Sequence, residues 1–219
     1  MVTVVKIGGS LFPEHVNRLC ECFKKSKEKI VLINGGGDLA NILREYHEEY
    51  NYSNNVNHWT AIECMNIIGK LIADKNKNIT LIKKLDEIVL VHKTDKIPLL
   101  LTYDLLKEED PLDHSWNVTS DSIACWVASK INAKLLILTN VDGIYSGNIF
   151  SNNKKLIKKV NANELLFFEE TSVDKCLPKL LIKYHLNCYV INGKYPDRVL
   201  AHLNSDHTMN NVYTYIGGK

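Results

Sequence analysis

The chain has 219 residues, 45% of them hydrophobic, enough for one good-sized core or two lobes sharing a sheet without help from metals or disulfides. Its 27 Lys and Arg stand against 25 Asp and Glu, a formal charge of +2 that is too even to mark a nucleic-acid or membrane surface, and the lysine runs at 24–29 and 154–159 read as solvated faces. No apolar run approaches a membrane span and the start MVTVVKIGGS has no basic n-region followed by an apolar core, so a cytoplasmic protein without a targeting segment is expected.

Two near-identical phrases come first, VTVVKIGGS at 2–10 and KIVLINGGG at 29–37. Each is a β-branched apolar run ending in glycine and followed by a stretch of helical period, Pro13 to Lys27 and then Asp38 to Tyr50. Repeated strand, glycine loop and helix imply a parallel sheet whose carboxyl edge carries the ligand-binding loops. The polar stretch at 50–57 reads as a loop and Trp59 to Asp74 as a helix. Short strands are expected at Ile79–Ile82, Ile88–His92 and Leu99–Leu101, with Pro98 confining the last to a strand start.

A polar stretch from Glu108 to Trp116 then leads into a helix from Thr119 to Lys130 and a strand from Lys134 to Thr139. A hairpin or excursion follows between Tyr145 and Val160, then a helix near Pro178–Tyr184, a strand at Cys188–Ile191, a helix at Pro196–Leu203 and a last strand near Val212–Ile216. The expectation is a single α/β domain over 1–219, a three-layer α/β/α sandwich on a central, mostly parallel sheet of roughly seven to nine strands. Cys20, Cys22, Cys64, Cys125, Cys176 and Cys188 contain no CxxC pair and read as reduced thiols, and Cys20 and Cys22 would point different ways on a helix.

The loops carry the chemistry. Gly8-Gly9-Ser10 and Gly35-Gly36-Gly37 each offer backbone N–H groups at a helix start, where a chain without Cβ atoms lets phosphate oxygens come close. Lys6 lies inside an apolar strand, so either its tip finds an anion at the sheet edge or the strand is an edge strand facing solvent. Neither glycine tract matches a Walker loop or GxGxxG. In Trp116-Asn117-Val118-Thr119-Ser120-Asp121, Asp121 is either ordinary first-turn capping or part of a site. Lys179, just after Pro178, opposes its helix dipole unless an anion sits in front of it. Leu135 to Tyr145 reads as a buried strand running into a polar turn, which either cradles a ribose or base or simply satisfies the Asp142-Gly143 backbone.

KIGGS, INGGG, WNVTSDSIA, LTNVDGIY and the late Lys179, in this order, resemble the amino acid kinase family over Val4 to about Leu203. The resemblance implies an α/β/α sandwich that transfers the γ-phosphoryl group of MgATP, with 1–115 binding the acceptor and 116–219 the nucleotide. It implies that Lys6 and Lys179 neutralise the transferring group, that Asp121 fixes the two ammoniums, and that Gly8, Gly9 and Ser10 hold ATP phosphates. Thr139, Asn140, Asp142, Gly143 and Tyr145 would hold the nucleoside, and Gly35, Gly36, Gly37 and Asn117 the acceptor. ATP and Mg²⁺ are the implied cofactors, with Mg²⁺ on ATP oxygens and no direct protein ligand. A homo-oligomer acting on a small phosphate, with no nucleic-acid or membrane partner, is the implied assembly.

The phrase Asp113 to Asp121, with Asn57-His58-Trp59, looks most like the branch of methanogenic archaea and some methylotrophs that phosphorylates (5-(aminomethyl)furan-3-yl)methyl phosphate to its diphosphate in methanofuran biosynthesis. His58, Trp59, His114 and Trp116 would then wall the furan ring, or else be core packing. Glu63 or Asp113 would meet the substrate's ammonium. Nucleoside or isopentenyl monophosphate kinases share the same phosphate-binding residues and are the alternative, and a non-catalytic nucleotide- or anion-binding storage protein is the alternative of another class. Two departures stand out: Asn140, where many family members carry an acid, and Thr171 to Pro178 in place of a glycine-rich stretch.

Overall fold

The computed structural model describes residues 2–146, 155–206, 208 and 212–219. β1 (Val2–Ile7) runs into a 3-10 turn (Gly9–Leu11) and α1 (Val16–Phe23); β2 (Lys29–Asn34) runs into α2 (Gly37–Tyr50) and the long α3 (Asn54–Lys75). β3 (Ile79–Ile82), α4 (Glu87–Val91), β4 (Ile97–Leu100) and α5 (Thr102–Glu109) follow. Next come α6 (Ser120–Lys130), β5 (Lys134–Thr139), β6 (Tyr145–Ser146), β7 (Lys155–Leu156), β8 (Lys159–Asn161) and α7 (Ala162–Leu165). α8 (Leu177–Tyr184), β9 (Cys188–Asn192), α9 (Pro196–Leu203) and β10 (Tyr213–Gly217) complete the chain.

Eight strands form one sheet in the order β3-β4-β2-β1-β5-β9-β10-β8. All neighbours are parallel except β9 and β10. β1 is therefore central, so Lys6 is not an edge-strand lysine facing solvent. Alternate residues of the same strand belong to different cores, because successive side chains point to opposite faces. Val4, Val31, Leu135 and Ile137 pack with α6 and α8, whereas Val5, Leu32, Leu136 and Leu138 pack with α1 and α9. Helices covering both faces of a mostly parallel sheet give the three-layer sandwich. β6 and β7 pair antiparallel beside it, at the expected excursion, whose residues 147–154 lie outside the described residues.

Four elements differ from the sequence expectation. Ile88–His92 is not a strand: Ile88 and Val91 are buried while Val89 and Leu90 are each 61% exposed, which is a helical face. Glu87 accepts the N–H groups of Lys83 and Lys84 at 2.8 and 2.7 Å and starts that turn. A parallel β3–β4 pair needs a crossover there, and this helix is part of it. α3 begins five residues before Trp59, because Ser53 caps it by accepting Val56 N–H at 3.3 Å. α5 occupies Thr102–Glu109, burying Thr102 and Leu106. The first helix after β1 starts only at Val16, after the 3-10 turn.

Candidate active site

The two glycine loops leave adjacent strand ends and touch each other. A Cβ on Gly9 would lie 2.7 Å from the backbone N of Gly37 and 2.8 Å from its Cα, so only glycine fits that crossing. Gly8 N–H closes the turn onto Leu138 O at 2.8 Å, and Gly35 N–H onto Ile7 O at 2.8 Å, tying the loops to β5 and β1.

Beside them opens a cleft of about 340 Å³. Its walls are Gly9 and Ser10, Gly35 to Gly37, the first turns of α2, one face of α3, Ser115, Trp116 and Val118 to Ser120. The lining is mixed: Ala61, Ile62, Met65, Val118 and Ile123 supply apolar surface, and Asn41, Asn54, Asn57 and Thr119 supply hydrogen-bonding groups. Asp38 and Arg44 are its charged side chains among the described residues. Arg44 lies with its guanidinium carbon 4.7 Å from the Trp116 ring centroid, a cation–π contact. The Trp116 indole N–H is buried without an acceptor among the described residues.

Of the four aromatic candidates, His58 and Trp116 line the cleft. Trp59 and His114 stand behind: the Trp59 ring meets His58 edge-on at 4.9 Å and His114 at 5.2 Å, and Lys107 lies 4.1 Å over it. Burial, with His114 beside it, lowers the His58 imidazole to about 4. His58, Asp110 and His114 keep one donor atom each within 4.8 Å of one another. The two imidazoles are stacked at 4.3 Å with planes 19° apart, so their in-plane lone pairs run alongside rather than converge on a cation. His114 Nε2 is already 2.9 Å from Asp110 Oδ1. Neither Glu63 nor Asp113 lines the cleft, which corrects their candidacy for an ammonium; Asp38 does.

Lys6 is 7% exposed on the central strand, and its Nζ lies 2.7 Å from Asp121 Oδ1. Asp121 sits in the first turn of α6, whose N-cap Thr119 accepts Asp121 N–H at 3.4 Å. Asn117 is exposed and outside the cleft lining; its carbonyl accepts Cys176 N–H at 3.1 Å. Lys179 is exposed in the first turn of α8 and forms no ion pair among the described residues, so Asp121 holds one of the two ammoniums expected of it.

Asp174, which the sequence reading passed over, is the most heavily bonded carboxylate of the region. Its Oδ2 accepts Thr119 N–H at 2.8 Å, Thr119 Oγ–H at 2.9 Å and Ser122 N–H at 3.0 Å. Its Oδ1 accepts Ser122 Oγ–H at 2.6 Å, Cys176 N–H at 3.1 Å and Leu177 N–H at 2.7 Å. Its own N–H donates to Asp121 Oδ2 at 3.1 Å. Burial and the nearby Asp121 push its carboxyl up, against the pull of these donors. The available signal was an Asp three residues ahead of a Leu-Pro helix start.

Across β5, Thr139 ends the strand and is nearly buried, whereas Asn140 is exposed. Asp142 is held by Asn192 Nδ2 at 3.0 Å and Arg198 Nη1 at 3.2 Å. Gly143 has φ +149°, and a Cβ there would meet Thr214 Oγ1 at 2.4 Å, so the polar turn depends on a residue without one. Tyr145 opens β6, and burial raises its phenol.

The family profile described as the amino acid kinase family matches residues 1–191. The [5-(aminomethyl)furan-3-yl]methyl phosphate kinase of Methanocaldococcus jannaschii is 37% identical over 222 residues, covering 98% of this chain and 97% of the relative. Among solved structures, the uridylate kinase of Archaeoglobus fulgidus superposes with a TM-score of 0.74 at 17% identity, covering 99% of this chain and all (100%) of the other. An isopentenyl phosphate kinase superposes with a TM-score of 0.68 at 13% identity, covering 99% of this chain and 100% of the other.

Proposed function

The chain belongs to the amino acid kinase family, and we propose that it moves the γ-phosphoryl group of ATP onto the phosphate of [5-(aminomethyl)furan-3-yl]methyl phosphate, giving the diphosphate. The observation that carries the reading is the buried Lys6–Asp121 pair, two residues ahead of a glycine loop that backs directly onto a second one. A cation held at that depth, next to backbone that no Cβ crowds, suits a triphosphate. The 37% identity over nearly both whole chains supports the acceptor.

In the transfer an oxygen of the acceptor phosphate forms a bond to the γ-phosphorus. The bond from that phosphorus to the β,γ-bridging oxygen breaks, and ADP leaves with the electron pair. The acceptor phosphate is mostly ionised near neutral pH, so no side chain is needed as a base. Lys6 and Lys179 balance the charge that builds on the transferring group, and Asp121 fixes the Lys6 ammonium. Gly8, Gly9 and Ser10 hold ATP phosphates, Gly9 and Ser10 through N–H groups while the Gly8 N–H stays on Leu138 O, and Mg²⁺ bound with ATP would supply further positive charge. Thr139, Asn140, Asp142, Gly143 and Tyr145 take the nucleoside. Gly35 to Gly37 hold the acceptor phosphate, with His58 and Trp116 against the furan and Trp59 and His114 bracing them; Asn117 acts from outside the cleft. Asp38 is the counter-ion for the substrate's ammonium, as the cleft's one carboxylate among the described residues. Most acceptor contacts thus fall in residues 1–115 and the nucleoside turn in 116–219, with Lys6 and Gly8 to Ser10 on the ATP phosphates and Trp116 and Asn117 on the acceptor crossing that division.

A homo-oligomer suits the outer face of the α2–α3 pair, where Leu39, Ile42, Tyr46 and Tyr50, and Val56, Ile67 and Leu71, are exposed. Glu63 and Lys70 flank Ile67 about one turn to either side, so an antiparallel copy would set each opposite the other's partner charge. No helix of the described residues is long and apolar enough to cross a membrane. The six cysteines are all free, which suits the reducing cytoplasm.

The test is ADP release with MgATP against the furan phosphate, UMP, AMP, isopentenyl phosphate, acetylglutamate and carbamate. The furan phosphate should lead in kcat/KM by about 100-fold or more. Preference for UMP or isopentenyl phosphate would replace the acceptor while keeping the reaction, and ATP binding without turnover would favour the storage-protein reading.

A further inference from the structure

The N-termini of α6 and α8 face each other across one carboxylate. Asp174 takes two N–H groups and two hydroxyls from the start of α6, and two N–H groups from the start of α8. These are the donors that a helix leaves without intrahelical partners. α8 has no side-chain cap on Cys176 and no acid in its first turn, and Pro178 brings no N–H of its own. Asp174 therefore satisfies the end of α8 from outside the helix and bolts it to α6.

That end carries Lys179, and the α6 end carries Asp121, which holds Lys6. The backbone N–H of Asp174 closes the chain by donating to Asp121 Oδ2 at 3.1 Å. Thr119 and Ser120, on the same bolted turn, also line the cleft. A short path of bonds thus joins Lys6, Asp121, Asp174 and the helix start that presents Lys179. Two helix N-termini and two lysines concentrate positive charge here, and one negative charge between the helix ends lets them approach without an external anion.

We infer that Asp174 is a positioning residue, which fixes the first turn of α8 against α6 so that Lys179 is set relative to Lys6 before any phosphate arrives. Its effect on turnover rests on the kinase reading above; its bolting of two helix ends does not.

Asp174→Asn is the decisive change. Whichever way the amide is turned, its NH₂ faces at least two donors that now face the carboxylate, so the two helix ends lose their common acceptor. At a temperature well below melting, kcat should fall about 10- to 100-fold with the KM for ATP within about threefold of the parent. In the Lys179→Met background the same change should cost less than about twofold more, because the lysine being positioned is gone. Amide hydrogen exchange should quicken together at 119–123 and 174–181 and stay unchanged in β2.

A kcat within twofold of the parent, or a loss that simply adds to that of Lys179→Met, would overturn the positioning role. Exchange that quickens at one helix end alone would overturn the bolt. Were no acceptor turned over by the parent protein, the kinase reading would fail, and the exchange experiment would still decide the bolt. Should Asp174→Asn not fold, Ser122→Ala, which removes the 2.6 Å donor alone, takes its place with an expected loss of about threefold in kcat and the same two-ended exchange signature.

Discussion

Lys6 Nζ lies 2.7 Å from Asp121 Oδ1, and the two side chains are 9% and 6% exposed. Removing either charge leaves the other buried and unpaired, Lys6 in the sheet or Asp121 at the start of α6, which costs about 3–5 kcal/mol. Asp121→Ala should lose stability on that scale in urea unfolding. Lys6→Met combined with Asp121→Leu should recover much of it while remaining inactive. A double variant no more stable than Asp121→Ala would mean that the pair's geometry, rather than its charge balance, supports the fold.

Lys179 is exposed and forms no ion pair among the described residues, so its loss leaves no buried charge behind. Lys179→Met should lower kcat by about 100-fold or more and leave the melting temperature within a degree or so. Near-parental turnover would remove it from the transfer step.

Trp116 and Asp38 stand in the cleft wall, away from the proposed nucleotide turn. Trp116→Leu should raise the acceptor KM about 10-fold with the ATP KM unchanged. Asp38→Asn should raise it similarly for the aminomethyl substrate but not for an analogue bearing methyl in place of aminomethyl. Equal effects on both acceptors would dissociate Asp38 from the ammonium.

His58 and His202 are both held near a pKa of about 4 by burial, against an ordinary value of 6.5. Both are neutral when folded, so below the ordinary value the unfolded chain binds more protons. Their contribution to stability is complete above about pH 6.5 and fades as the pH falls toward about 4. Melting temperature should therefore drop between about pH 7 and about pH 4.5, and His202→Phe, whose ring packs on Tyr189 and Tyr213, should flatten the drop. A profile that His202→Phe leaves unaltered would place the dependence elsewhere.

The strands and the two glycine loops were legible because each strand is short, apolar and bounded by glycine or charge, and because the pattern repeats in the first quarter of the chain. Ile88–His92 was misread because four consecutive apolar residues before His92 carry no period that separates strand from helix; burial of Ile88 and Val91 decides it. The start of α3 was readable in Ser53, a capping residue hidden among other polar ones. Lys6, Gly9 and Asp121 declared themselves by being costly or unusual where they stand. Asp174 did not, since its importance lies in six partners drawn from two segments 55 to 2 positions away in sequence, a relationship that no local window contains. The cleft wall shared its ambiguity: His58 and Trp59 are adjacent in sequence, yet one faces the cleft and the other props it from behind.

The contact between Gly9 and Gly37 also bears on how such a protein can be re-engineered. Grafting a different loop onto β2 would not be a modular exchange, because a side chain at position 35 would put its Cβ 2.7 Å from the backbone N of Gly9. Residues 8–10 and 35–37 would have to travel as a matched pair, so a library that varies one stretch alone samples mostly broken proteins.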